Sequence, residues 1–300
     1  MKNRFRLFLL LTLFILFSGC LKENAYKGNW TRKAEFYDGE FRYQATSFAL
    51  AQKGYLGLGE VEGRVYSDFW EYDPETDKWQ RKKDFPGLKR YGAVSFVIGN
   101  NAYVGLGYSA AESRNLTDFW KYDCLSDEWT EVTSVDVPSM LYNGAFAIAN
   151  KGYVVKDGEI LVYEPQTNSW TVKREYEPVG ASGIVFAFSI KGKGYFGGLD
   201  KAYEYNPTTN ELTEIASFPF SSSTTYYKLI NFAQGNYGYV LDSRTLFSYN
   251  PATNTWKTAS LAPFYNSMGY CVADNRIFFV FCNNPEGTAK AVWEYIINPQ

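Results

Sequence analysis

The 300-residue chain contains no histidine. That absence excludes a Ser-His-Asp triad, imidazole general-base chemistry and the usual His-built zinc and copper sites. Any catalysis must rest on Glu, Asp, Arg, Lys, Tyr or Cys. An excess of positive charge is also missing: 30 basic side chains stand against 32 acidic ones, a formal net charge of −2. Without a basic stripe there is nothing to hold a phosphate backbone, so nucleic acid is not expected as a partner. Long hydrophobic runs are scarce. The longest, Leu7 to Phe17, is interrupted only by Thr12. As a helix those residues would rise about 16 Å, well short of the roughly 30 Å core of a bilayer.

That run follows Lys2, Arg4 and Arg6 and ends in Phe17-Ser18-Gly19-Cys20. A positive start, an apolar middle and small residues at the end read as a secretory signal. The last four residues resemble a bacterial lipobox, with Phe17 where Leu is usual. The resemblance implies removal of residues 1–19, lipid attachment to Cys20 and a tether over 20–28. Leu21 to Asn24 follow with no Asp after Cys20, which favours the outer membrane of the cell envelope. Removal of the signal deletes three basic residues and no acid, leaving 27 against 32, or −5. Of the remaining cysteines, Cys124, Cys271 and Cys282, an odd number argues against a disulfide framework. A turn at Asp274-Asn275 would set Cys271 opposite a residue near 278, out of reach of Cys282. All three are expected to be small core residues.

What the chain does have is aromatics: 25 Tyr, 23 Phe and 8 Trp. Such side chains suit half-buried strands. One segment recurs as YDPETDKW (72–79), YDCLSDEW (122–129), YEPQTNSW (163–170), YNPTTNEL (205–212) and YNPATNTW (249–256). The spacing of 41 to 50 residues between the closing Trp or Leu positions is that of a propeller or solenoid. Each copy has a physical logic: Tyr ends a strand, Pro and Asp/Asn make a turn, and Trp opens the next strand with a large apolar face. Upstream of each lies an apolar hairpin, such as Ala45–Leu50 turning into Tyr55–Gly59.

Together these features resemble the kelch-repeat family over residues 30 to 300. The resemblance implies an all-β, six-bladed kelch-type β-propeller with four antiparallel strands per blade. The family's paired glycines survive fully only as Gly197-Gly198, and Leu212 replaces the fourth Trp. Five complete units are expected over 42–83, 90–133, 142–174, 183–216 and 227–260. A sixth begins near Gly269 and stops one strand short. Asn29 to Glu35 looks like the missing outer strand, with Trp30 one repeat length before Trp79. The propeller therefore spans 29–300, its last blade closed by an N-terminal strand, which leaves no open sheet edge.

In kelch propellers the loops between blades and the central loop of each blade gather at one mouth of the channel. Mapped onto this chain, that mouth presents Arg42, Tyr43, Arg64, Arg90, Tyr91, Tyr108, Arg114, Tyr142, Asn143, Tyr227, Tyr265 and Asn266 as candidate ligand-binding residues. Rings stack on sugars, while phenols and guanidinium groups bond hydroxyls or carboxylates. Arg42 and Arg90 have a second reading, as ties between blades, and the tyrosines as packing between blades. Two functions follow. One is a binding or scaffolding lipoprotein, monomeric and without cofactor or metal, that holds a glycan or protein at its loop rim. The other is a metal-independent sugar epimerase resembling periplasmic kelch sialic acid mutarotases, with Glu60, Glu62, Arg64 and Arg114 available for it. Galactose oxidase shares the propeller, but its copper site needs histidines absent here.

Overall fold

The structure, a computed structural model, describes residues 29–35, 40–135, 143–156, 158–180, 182–219, 229–282 and 290–297. Every element among them is a strand. Six four-stranded antiparallel sheets form, each a blade running outward from an inner strand. Blade one is typical, built from Thr46–Leu50, Lys53–Gly57, Phe69–Asp73 and Lys78–Lys82. The inner strands of the other blades are Val94–Ile98, Gly144–Ile148, Phe186–Ile190, Ile230–Gln234 and Gly269–Ala273. Each touches the next, and the last touches Thr46–Leu50, so the ring is closed.

The YDPETDKW-type repeat is explained by one hydrogen bond repeated five times. The phenols of Tyr72, Tyr122, Tyr163, Tyr205 and Tyr249 donate to Asp77, Asp127, Asn168, Asn210 and Asn254 at 2.7–2.9 Å. All five acceptors sit at positive φ, where Asp and Asn are tolerated better than bulkier residues. The acceptors also reach the preceding blade: Asp127 takes the amide of Lys83, Asn168 that of Thr133 and Asn254 that of Ala216. One side chain thus fixes a turn, anchors a buried Tyr and ties two blades.

A second repeated device lies deeper. Phe48, Phe96, Phe146, Phe188 and Phe232 occupy equivalent, buried positions on the inner strands. Each stacks on the Tyr of the neighbouring strand, with centroids 5.0–6.1 Å apart. Three of them also pack against the next blade's Gly152, Gly194 and Gly238, where a Cβ would come within 2.3 Å of the ring. In blade six the position belongs to Cys271, which is buried, pairs with Phe278 and is a free thiol. Cys124 is a half-buried free thiol rather than a core residue. Its turn position, where four of the other repeats carry Pro, leaves it at the edge of the packing. The Cys282 side chain lies outside the described residues.

Blade six is composite, as the sequence implied. Its strands Gly269–Ala273, Arg276–Cys282 and Ala291–Ile296 are completed by Asn29–Glu35, with Trp30 opposite Tyr295. Trp129, Trp170 and Trp256 donate their indole N–H to the carbonyls of Lys83, Thr133 and Ala216 on the preceding blade. Trp30 does the same job, donating to Ser260 Oγ at 2.8 Å. In every case the acceptor lies four residues beyond the preceding blade's Trp or Leu. The N-terminal strand is therefore a displaced member of the repeat.

Candidate functional site

Because side chains alternate along a strand, the residues flanking each inner-strand Phe face the ring axis. They enclose a channel of about 790 Å³. Its walls are small or apolar where the strands run through: Ser47 and Ala49, Ser95 and Val97, Ala145 and Ala147, Ala187 and Ser189. Polar groups concentrate where strands enter and hairpins turn, at Arg42–Gln44, Asn143, Asn231, Asp242–Thr245 and Asn266–Ser267.

Asp242 stands apart within this set. It ends the strand Tyr237–Asp242 and enters a tight hairpin turn in which it pairs with Thr245 and Ser243 takes a φ of 50°. It is 7% exposed, and it is the one carboxylate among the described residues that line the channel. No donor among the described residues reaches it. Burial accordingly pushes its carboxyl above the usual range, since nothing offsets the desolvation of the charge. Two residues on, Arg244 donates Nε–H to the Ala262 carbonyl at 3.1 Å and sets its guanidinium 5.2 Å over the Tyr265 ring. A buried carboxylate and a guanidinium thus share one wall of the mouth. That combination can accept a proton and hold an anion.

The candidates drawn from sequence divide clearly. Arg42, Tyr43, Asn143 and Asn266 line the channel. Arg90 lies outside the channel lining: it is fully buried and forks onto both oxygens of Asp118 at 2.7 and 2.8 Å, with further bonds to Leu88 and Leu106 carbonyls. Arg42, which also lines the channel, repeats this on Asp68 at 2.5 and 2.6 Å, with its guanidinium 3.7 Å from the Tyr66 ring centre. Burial alone would raise Asp68 and Asp118, but the paired guanidiniums and the indoles of Trp70 and Trp120 hold both below the usual carboxylate range.

The rim loops of blades one and two are real, each rising into a small hairpin, Glu60–Val61 with Arg64–Val65 and Tyr108–Ser109 with Arg114–Asn115. They carry their charges away from the channel. Arg64 is 68% exposed and faces Glu40, while Arg114 borders a separate outer crevice beside Trp120 and Glu131. Glu60 is engaged through its backbone with Tyr43, and Glu62 is exposed. Tyr91 and Tyr108 pair by backbone and by rings 5.5 Å apart. Tyr265 lies under Arg244 rather than in the channel lining. Tyr142 and Tyr227, with Tyr226 beside it and most of the Asn283–Lys290 loop, lie outside the described residues.

Sequence reasoning passed over Asp242 and Arg244 because the blade-five hairpin is short. A signal was present: in register Asp242 aligns with Leu58 and Leu106, which follow the equivalent strands of blades one and two and are fully buried, and with Lys156 of blade three. Lys156 at this position is paired with Glu159, whereas Asp242 has no counter-charge among the described residues; a charge so placed costs stability, which points to a role other than packing.

No protein-family model matches the chain. It is similar to the protein named N-acetylneuraminate epimerase of Yersinia pestis (strain Pestoides F), 25% identical over 251 residues, covering 79% of this chain and 53% of the relative. The proteins of that name in Yersinia enterocolitica (24% identical, 80% and 52% covered) and Escherichia coli O1:K1 (25% identical, 73% and 48% covered) are similar too. The chain spans about half the length of these curated relatives. Among solved structures, that of YjhT superposes with a TM-score of 0.67 over 86% of this chain and 95% of that one, at 16% identity. That likeness shows the fold, a six-bladed β-propeller, and the sequence is similar to those of proteins named for an epimerase activity.

Proposed function

We propose that this protein is a metal-independent sugar epimerase or mutarotase that works at the Asp242 mouth of its channel. The observation that carries this reading is the Asp242 carboxylate at that mouth, 7% exposed and reached by no donor among the described residues. Exchange of anomers opens and recloses a ring by moving protons, with no redox step, so a carboxyl of raised pKa and a neighbouring guanidinium suffice. The relatives' name supports the same class and suggests N-acetylneuraminate as the first substrate to try. Binding of a partner at the loop rim has no comparable support, because Arg64 and Arg114 point outward and Arg42 and Arg90 are held by aspartates. The test is NMR of freshly dissolved N-acetylneuraminate, following relaxation towards the anomeric equilibrium. The protein is expected to accelerate it. Relaxation at the buffer rate would contradict the reading, and saturation-transfer signals without acceleration would return the protein to the binding class.

Anchoring through Cys20 belongs to the same proposal and places this activity at the cell envelope. Palmitate labelling of the full chain is expected, and its persistence in Cys20→Ser would rule the anchor out.

A further inference from the structure

The channel changes character below the Asp242 mouth. The pairing of Ile230 with Leu241 sets Asp242 level with Leu229, just above the blade-five inner strand. Two residues deeper, roughly 7 Å at about 3.3 Å per residue, the inward positions are Ser47, Ser95, Ala145, Ala187, Asn231 and Tyr270. Two residues deeper again they are Ala49, Val97, Ala147, Ser189, Ala233 and Val272. Both tiers belong to the six inner strands, which are described along their whole length.

Polar side chains of the upper tier are turned onto the wall. Ser95 donates to the Ser47 carbonyl at 3.0 Å, and the Ser47 hydroxyl oxygen accepts the Tyr270 amide. Asn231 accepts the Ala187 amide and donates to the Leu229 carbonyl. What the two tiers offer a ligand is therefore mostly carbon, and blade six supplies the largest piece of it. There Cys271 stands where the other blades carry a core Phe, and the preceding Tyr270 puts a ring on the channel side. That ring stacks on Phe232 with centroids 4.9 Å apart.

Resting on the function proposed above, we propose that the channel below the mouth is a subsite for an acyl chain of the sugar. Tyr270 is its platform, and the tier of Ala147, Ala233 and Val272 is its floor. Anomer exchange needs a free anomeric hydroxyl, so the apolar group is not an aglycone and hangs from elsewhere on the sugar. An amide-linked acyl chain meets that condition. With the anomeric carbon at Asp242, an acetyl group ends near Tyr270, and a chain several carbons longer reaches the floor. The substrate class is an N-acylated sugar whose acyl chain is longer than acetyl.

Wild-type exchange of N-acetyl-, N-butanoyl- and N-hexanoylneuraminate, followed by NMR, tests this without a variant. KM is expected to fall along the series by up to about fourfold per added methylene. The value of kcat should stay nearly constant, because a chain bound equally in ground and transition states changes KM alone. Exchange with a KM that stays level or rises overturns the subsite and leaves the function standing. Saturation-transfer affinities for the same three sugars separate the claims in the other direction. Affinity that rises with chain length without exchange keeps the subsite and overturns the function; neither exchange nor a gain in affinity overturns both. Tyr270→Ala is expected to raise KM roughly tenfold with kcat little changed, and an unchanged KM removes Tyr270 from the subsite. Ala147→Leu fills the floor and should reverse the preference for the hexanoyl over the acetyl sugar. An unchanged ratio overturns the placement of the chain.

Discussion

Deleting residues 29–35 is expected to abolish cooperative unfolding, while deleting residues 21–26 leaves the melting curve in place. The first deletion strips the outer strand from blade six and exposes Ala291–Ile296 as an open edge. It also empties the slot between blades five and six that Trp30 fills. There the indole lies 4.7 Å from the Tyr295 ring and 5.5–5.6 Å from Phe264 and Phe279, with its N–H on Ser260. Trp30→Ala alone should cost about 3 kcal/mol, the lower end for a large aromatic because the side chain is only half-buried. In a ring every blade leans on two neighbours, so loss at the seam reaches the whole structure. Calorimetry or circular dichroism of the two deletions checks this, and similar effects from both would contradict the closure.

Arg90→Ala is expected to destabilise by about 3–5 kcal/mol, because it leaves the Asp118 carboxylate without its buried counter-charge. For chains of this size class each kcal/mol lowers the melting temperature by roughly 2–4 °C. If Arg90 instead served a ligand, the variant would lose binding with little change in melting. Replacing both partners, as Arg90→Met with Asp118→Leu, should recover much of the loss, since an apolar pair carries no desolvation penalty. The same aspartates set an acid limit. Asp68 and Asp118 are held below their unfolded value of about 3.9, so their contribution is fully present above that value. It is lost as pH falls through their lower folded values. Asp242 has the opposite sign: its raised carboxyl costs stability at neutral pH and relaxes on acidification.

The fold was legible because the repeat writes one chemistry five times. Tyr72 and Asp77, with their four counterparts, declare strand, turn and blade contact in a single stretch. Even the displaced strand was readable, since Trp30 keeps the repeat spacing. The site was less so. A guanidinium at a loop looks the same in sequence whether it faces water, as Arg64 does, or a buried aspartate, as Arg90 does. Only the fold shows that Asp68 and Asp118, 26 and 28 residues downstream, fold back onto Arg42 and Arg90. Asp242 escaped for a related reason. Attention to long loops favours flexible recognition, whereas this carboxylate is held by the rigid hairpin of blade five, where a reacting group can be positioned closely.

Where the sugar sits decides whether Asp242 is the reacting group. A crystal structure of the full chain soaked with N-acetylneuraminate measures that directly. The sugar ring is predicted at the channel mouth, with an Asp242 carboxylate oxygen within hydrogen-bond distance of the anomeric hydroxyl. Density confined to the rim beside Arg64 or Arg114, with the Asp242 mouth empty, would contradict it.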